Sequence, residues 1–193
     1  EKRKHLPSAS LIIDLHTTTA DGGIFTIAAD DLMSSTLAKG LHAPVILGFT
    51  ENLKGTTLGY FNRPEKDSFC IVFEGGQHND PESVFRTAAA IVNCMRTIGS
   101  VDSRHVDHRH DGMLIRISEG LPKVTRLIHH YRIADCEQFV MNPGYKNFHR
   151  LRKGDVVANN EHGPITAPMD GLILMPKYQD LGDDGFFMVE VLE

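Results

Sequence analysis

The chain of 193 residues has little cysteine and no long hydrophobic run, and these absences exclude several classes of protein. Its three cysteines, Cys70, Cys94 and Cys136, are scattered and lack zinc-ligand spacing, which indicates reduced thiols in a cytoplasmic protein. No apolar stretch approaches the roughly 20 residues that span a bilayer. The polar start, residues 1–5, lacks a secretory signal pattern. The net charge of −5 gives no reason to expect a nucleic acid or a membrane as partner.

Several sequence motifs are absent as well. There is no glycine-rich phosphate loop, no G-x-S-x-G elbow, no C-x-x-C pair and no internal repeat. The composition is that of a globular protein, with 41% hydrophobic and 23% charged residues, enough for one large or two small cores.

Strand and helix patterns alternate over the first hundred residues. Short apolar runs predict strands at 10–16, 24–28, 44–49 and 68–74, and residues 30–40 read as a helix. A second helix is predicted between Asp80, as N-cap, and Gly99. Its apolar residues at spacings of three and four predict the buried face: Val84, Ala88, Ile91, Met95 and Ile98. This alternation is typical of an α/β fold with a mostly parallel sheet.

The second half of the chain has a different pattern. Residues 103–112 are polar and read as a linker, and no helix is predicted beyond them. Runs at 113–118, 123–133, 155–158, 165–167, 171–175 and 186–192 read as strands separated by turn residues. We therefore expect an α/β domain over residues 1–102 and a small all-β, barrel-like domain over residues 113–193.

Two of the predicted buried strands end in ionisable residues. In an open α/β sheet, ligands bind at the carboxyl ends of strands, so His16 and Glu74 are expected at that edge. Asp14 lies two residues before His16 and points to the same face, where a carboxylate can orient a metal-binding imidazole. The alternative is that Asp14 and His16 form a simple hydrogen bond at a strand end.

Glu74 is followed by Gly75 and Gly76, which permit close approach of a ligand to the backbone. A glutamate at the end of a buried strand loses solvation, which raises its pKa and suits a general base near neutral pH. The alternative is a tight strand-to-helix turn with a solvated glutamate.

Other histidines carry less information. His105, His108 and His110 are close enough in sequence to chelate a metal, but the polar segment favours a solvated loop. His129 and His130 are neighbours in a strand pattern, face opposite sides and cannot share a ligand.

Five stretches taken together are similar to one family: DLHTTT at 14–19, FEGGQH at 73–78, MNPGYKNF at 141–148, ITAPMDGLILMPKYQ at 165–179 and GDDGFF at 182–187. In this order and spacing they resemble the succinylglutamate desuccinylase/aspartoacylase family, zinc hydrolases related in fold to zinc carboxypeptidases. The resemblance covers nearly the whole chain.

The resemblance implies a deacylase that cleaves the amide of a small N-acyl amino acid with Zn²⁺, and that could act on esters. His16 matches a zinc ligand and Glu74 matches the glutamate that activates the metal-bound water. Asp14 is expected behind His16, and Tyr178 is expected as a substrate contact. A homo-oligomer is possible, with the β domain as a lid, a wall or a contact between copies.

The chain departs from the family in one respect. The family's other two zinc ligands belong to an H-x-x-E motif upstream, and this sequence contains no H-x-x-E. The resemblance therefore implies the C-terminal portion of such an enzyme, incomplete at the N-terminus and inactive alone. The alternatives are a metal-free binding module and a carrier-like domain. Residues 152–158 and 163–171 resemble half of a lipoyl or biotinyl carrier, without its lysine turn.

Overall fold

Short apolar strands and a few helices build one large mixed sheet and one small sheet in the computed structural model, which describes residues 10–52, 55–63 and 65–193. The polar residues 1–5 lie outside this part. The strands are β1 (Ser10–Thr18), β2 (Phe25–Ala28), β3 (Val45–Leu47), β4 (Ser68–Gln77), β5 (Val124–Arg132), β6 (Val140–Met141), β7 (Arg150–Leu151), β8 (Val156–Asn160), β9 (Gly163–Thr166), β10 (Gly171–Leu174) and β11 (Asp184–Val191). The α-helices are α1 (Leu32–Lys39), α2 (Phe49–Asn52), α3 (Thr57–Phe61), α4 (Glu82–Thr97) and α5 (Arg109–Ile117). None of these helices is both long and apolar enough to cross a membrane.

The large sheet has eight strands in the order β1-β4-β2-β3-β5-β11-β10-β7. β1 pairs with β4, β2 with β3, and β3 with β5, all in parallel, while β2 and β4 are antiparallel. β11, β10 and β7 extend the sheet with antiparallel pairs. The predicted α/β fold is thus confirmed, with the parallel pairs concentrated among the first five strands.

Apolar side chains cover both faces of this sheet. On one face, Ile71 and Phe73 of β4 pack with Ala89 and Ala90 of α4 and with Leu114 of α5. On the other face a second buried cluster includes Phe25, Ile46, Phe49, Leu58 and Phe187. Burial on both faces explains why the strands read as continuous apolar runs.

The predicted buried face of α4 is wrong except at its C-terminal end, where Ile98 packs against the core. Val84 is 68% exposed and Met95 is 39% exposed, whereas Ala89 and Ala90 are fully buried against the sheet. Small residues allow the helix to approach β4 closely, so α4 buries alanines and leaves its larger apolar side chains outside. Pro81 occupies the N-cap position, and Asp80 accepts a hydrogen bond from the Glu82 amide at 3.0 Å.

The prediction that no helix follows residue 100 is also wrong. The expected linker contains a short 3-10 helix, Ser103–His105, and the first residues of α5. Leu114 of α5 is fully buried, and Asp111 forms an ion pair with Arg96 of α4. These two contacts hold residues 109–117 against α4, so residues 113–118 do not form the predicted strand.

The later strands do not form a separate barrel. β5 pairs with β3, and β11, β10 and β7 continue the same sheet, while β6, β8 and β9 form a small second sheet. The expected small barrel-like domain is therefore not confirmed. The division of the chain at residues 102 and 113 stays a prediction.

Candidate active site

The ends of β1 and β4 open into a cavity of about 550 Å³. Most of the residues that line it fall into three groups. The first group lies on β1, on β4 and just after them: Asp14, His16, Thr17, Thr18, Thr19, Glu74 and His78. The second lies at the start of α3: Thr56, Thr57 and Leu58. The third lies on β11 and the segment before it: Met175, Lys177, Gln179, Asp184 and Phe187. The cavity therefore lies between the α/β part of the sheet and the later strands.

His16 and Asp14 lie side by side in the wall of this cavity. His16 Nε2 is 3.0 Å from Asp14 Oδ1, and the side chains are 51% and 26% exposed. The contact uses Nε2 and leaves Nδ1 as the nitrogen that can face a ligand. The expected pairing of the two residues on one strand face is confirmed; their roles at a metal stay predictions.

Glu74 lies directly beside His16, because the parallel pairing of β1 and β4 sets these two residues opposite each other. The residue is 6% exposed, and its Oε2 atom has no hydrogen-bond partner among the described residues. Burial raises the pKa of Glu74 to about 7; nearby His16 opposes that rise and Asp14 adds to it. The alternative of a solvated glutamate is therefore wrong.

The two glycines after Glu74 leave room for side chains of α4. A Cβ at Gly75 would lie 2.6 Å from Thr87 Oγ1, and one at Gly76, where φ is +110°, would lie 2.3 Å from Arg86 Nη1. Arg86 is buried, donates to the Gly75 carbonyl oxygen at 3.0 Å and pairs with Asp80. Gly76 therefore makes room for the Arg86 guanidinium, where a ligand was expected. This contact fixes the turn that follows Glu74.

The threonines after His16 are tied into the surrounding loops. The Thr18 hydroxyl donates to the Ala20 carbonyl at 2.8 Å, and the Thr19 hydroxyl donates to the Pro176 carbonyl at 3.1 Å. Buried Asn147 accepts from the Met175 amide at 2.7 Å and donates to Thr18 Oγ1 at 3.3 Å. Asn147 therefore joins two walls of the cavity, a role that its position in the sequence did not indicate.

Tyr178 lies on the segment between β10 and β11. Its hydroxyl accepts from the Tyr145 amide and lies 2.9 Å from the Asn142 carbonyl oxygen, so it links this segment to residues 142–145. The neighbouring residues Lys177 and Gln179 line the cavity. A substrate contact by Tyr178 stays a prediction.

A second His–Asp pair lies on the later strands and reaches the same cavity through Asp184. His130 Nε2 is 2.7 Å from Asp184 Oδ1, and the His130 ring stacks on Phe187 with centroids 4.5 Å apart. His129 packs near Phe186 on the opposite face of the sheet, which confirms that the two histidines cannot share a ligand. Sequence reasoning missed Asp184, because only the pairing of β5 with β11 brings it beside His130.

The residues of the described chain do not complete a metal site. No group of three or more His, Cys, Asp and Glu side chains in this part of the chain could hold a metal ion. His105 and His108 are exposed and His110 is half-buried, but the expected loop is wrong, because these residues belong to the 3-10 helix and to the cap and first turn of α5. His16 is a candidate ligand, but a zinc site with three protein ligands does not fit the described residues alone.

Comparison with solved structures identifies the architecture. A succinylglutamate desuccinylase from Vibrio parahaemolyticus superposes with a TM-score of 0.63 at 16% identity, over 99% of this chain and 56% of that one. A succinylglutamate desuccinylase/aspartoacylase from Rhodobacter sphaeroides gives 0.60 at 16% identity, over 98% and 60%. The ectoine utilization protein EutE from Ruegeria pomeroyi gives 0.53 at 18% identity, over 98% and 62%.

The fold is that of the succinylglutamate desuccinylases and aspartoacylases. No family model matches the chain, and neither does any curated protein. The structural match confirms the expected resemblance at the level of fold. The chain spans 56% to 62% of the length of the three structures, so the activity of a whole protein of this kind is a proposal.

Proposed function

We propose that this chain carries the proton-transfer residue of a deacylase that hydrolyses the amide of a small N-acyl amino acid. The observation that supports this most directly is Glu74. Its carboxyl group is buried at the cavity, has an oxygen without a partner among the described residues, and has its pKa raised to about 7 by burial. A general base works best when its pKa lies near the working pH.

The proposed reaction moves one proton through Glu74. The carboxylate takes a proton from a water molecule as that water attacks the amide carbon. The C–N bond then breaks, and Glu74 returns the proton to the departing nitrogen, which leaves a carboxylic acid and a free amine. Arg86 keeps the turn after Glu74 in place through its bond to the Gly75 carbonyl.

We further propose that zinc assists this reaction, with His16 as one of its ligands and Asp14 holding the imidazole. Because the described residues supply too few ligands, the remaining ligands are proposed to come from outside them. Bound zinc would polarise the amide carbonyl and lower the pKa of water to about 7. We place the protein in the cytoplasm, which its three free cysteines support.

The test is turnover of N-acyl amino acids with zinc, using Glu74→Gln and, as control, Glu190→Gln at an exposed position of β11. The assay uses this chain and any longer natural polypeptide that contains it. We expect Glu190→Gln to retain activity and Glu74→Gln to lose about 100-fold or more, which is typical of a missing general base. Full activity of Glu74→Gln would show that another group transfers the proton.

A second candidate is a metal-free binding module that uses the same cavity. The incomplete metal site among the described residues favours it. It predicts that N-acyl amino acids bind without turnover even when zinc and the complete natural polypeptide are present. Zinc-dependent hydrolysis by that polypeptide would exclude it.

A further inference from the structure

We propose that Tyr60, on α3, is a site of covalent modification whose phenol oxygen takes an acyl group from an activated acyl donor. Tyr60 is not among the described residues that line the cavity at the ends of β1 and β4, so this site is separate from the proposed deacylase site. Two cations beside the Tyr60 ring, and the exposure of the phenol, distinguish Tyr60 from the other tyrosines of the chain.

Two cationic side chains lie against the Tyr60 ring. Lys66 Nζ donates to the Tyr60 hydroxyl oxygen at 3.1 Å and lies 4.6 Å from the centroid of the ring. The central guanidinium carbon of Arg63 lies 5.2 Å from the same centroid. The Lys66 hydrogen bond, and then the charges of Lys66 and Arg63, lower the pKa of Tyr60. At a given pH, more of this phenol is therefore in the nucleophilic phenolate form.

The other three tyrosines hold their protons more firmly. The Tyr131 hydroxyl donates to a carboxylate oxygen of Glu137 at 2.6 Å, and the hydroxyls of Tyr145 and Tyr178 each donate to a backbone carbonyl oxygen at 2.9 Å. Burial raises the pKa of all three, to about 12 for Tyr131. Within the described part of the chain, only the Tyr60 oxygen accepts a hydrogen bond from a cation.

The phenol of Tyr60 is open to a reagent, and the backbone holds the cations near it. Tyr60 is 45% exposed and lines, with Arg63, a pocket of about 660 Å³. The Asn62 side chain exchanges two hydrogen bonds of 2.8 Å with the backbone of Cys70 on β4. The Lys66 amide donates to the Arg63 carbonyl oxygen at 2.9 Å. An acyl donor can therefore reach the phenol oxygen while both cations stay beside it.

The proposed step transfers one acyl group without an oxidant or a reductant. Tyr60 loses its phenol proton to solvent, and the phenolate oxygen attacks the acyl carbonyl carbon. A C–O bond forms, the bond from that carbon to the leaving group breaks, and the leaving group takes up a proton. Lys66 stays protonated throughout, so it stabilises the nucleophile and does not act as its base.

The experiment treats the folded chain with N-acetylimidazole near neutral pH and follows each tyrosine by peptide mass spectrometry. Hydroxylamine removes an acetyl group from tyrosine oxygen and not from lysine nitrogen, which separates the two products. We expect Tyr60 to react at least about fivefold faster than each other tyrosine, because those must first break a hydrogen bond to an acceptor. The advantage should shrink as salt is added. In urea the four rates should converge.

Variants separate the effect of the cation from that of exposure. Lys66→Met should slow the acetylation of Tyr60 about twofold or more, as expected when an exposed charge contact is lost. Lys66→Arg should restore most of the rate. The control is Lys153→Met, at an exposed position that is not among the cations at the Tyr60 ring, and it should leave the rate unchanged. Tyr60→Phe should abolish the fast acetylation.

Three outcomes would overturn the inference. They are acetylation of Tyr60 no faster than that of Tyr178, which is 40% exposed, an unchanged rate in Lys66→Met, and an equal loss of rate in Lys153→Met. Each of them leaves the proposed deacylase untouched, because that activity is measured by turnover and by Glu74→Gln.

Discussion

Glu74 lies on β4 between His16 of β1 and Phe25 of β2, and only 6% of the residue reaches solvent. Burial there disfavours the charged form, and this is what raises its pKa to about 7. The same burial that suits a general base must therefore reduce the stability of the protein once the group is ionised. Glu74 links the local chemistry of the site to the stability of the fold.

We predict that Glu74→Gln is more stable than the parent chain at pH 8. The folded-state pKa of Glu74 lies above its ordinary value, so its favourable contribution is complete below the unfolded pKa and is lost as the pH rises through about 7. The gain of the variant at pH 8 is on the order of 2–3 kcal/mol and shrinks toward pH 5. Urea unfolding at both pH values measures it. A gain that does not depend on pH would contradict the assigned cause.

Asn147 is a second residue whose hydrogen bonds connect segments that are distant in sequence. It is buried, accepts from the Met175 amide and donates toward Thr18, and its own amide donates to the Asp21 carbonyl. A Cβ at Gly22 would lie 2.4 Å from the Asn147 carbonyl oxygen, so that glycine is needed for close packing.

We predict that Asn147→Ala lowers the free energy of unfolding by about 2–3 kcal/mol, because the half-buried Met175 amide loses its acceptor and the buried Thr18 hydroxyl loses a donor. Urea unfolding measures the loss. Asn79→Ala, at an exposed position, is the control and should change stability by less than about 0.5 kcal/mol. Equal effects of the two substitutions would show that Asn147 does not join the cavity walls.

The strands were predictable from the sequence and the packing of the helices was not. β1, β2, β3 and β4 are short apolar runs covered on both faces, and such runs are visible in any window of the sequence. The buried face of α4 depends on which side chains fit against β4. Alanines fit there, while hydrophobic periodicity favoured the larger residues. Similarly, α5 is held in place by Leu114 and by the Asp111–Arg96 pair, which connect residues distant in sequence.

We predict that the two faces of α4 respond oppositely to substitution. Val84→Ser should change the free energy of unfolding by less than about 0.5 kcal/mol, because Val84 is 68% exposed. Ala90→Leu should destabilise by about 1–3 kcal/mol, because Ala90 is fully buried and a larger side chain would overpack the interface with the sheet. Thermal unfolding of the two variants measures the difference. The reverse order of stabilities would restore the apolar stripe as the buried face.

At the scale of the whole molecule, sequence patterns predicted the cavity residues on β1 and β4 but not those on the later strands. His16, Asp14 and Glu74 were predicted because each belongs to a short local pattern at a strand end. Asp184 and His130 were not, because the register between β5 and β11 brings them together across 54 residues of sequence. Lys177 was missed for a similar reason: the path of the segment after β10 takes it to the cavity.

The metal site provides the last prediction. His16 lies on β1, which is the first strand in the order of the large sheet and pairs with β4, and its side chain is 51% exposed. Because the described residues supply no cluster of three ligands, we expect the purified chain to retain far less than one zinc ion per molecule. Elemental analysis beside His16→Ala measures this, with sedimentation velocity to give the number of copies. Stoichiometric zinc that is lost in His16→Ala would contradict the prediction: in a monomer the chain itself would complete the site, and in an oligomer neighbouring copies would supply the other ligands.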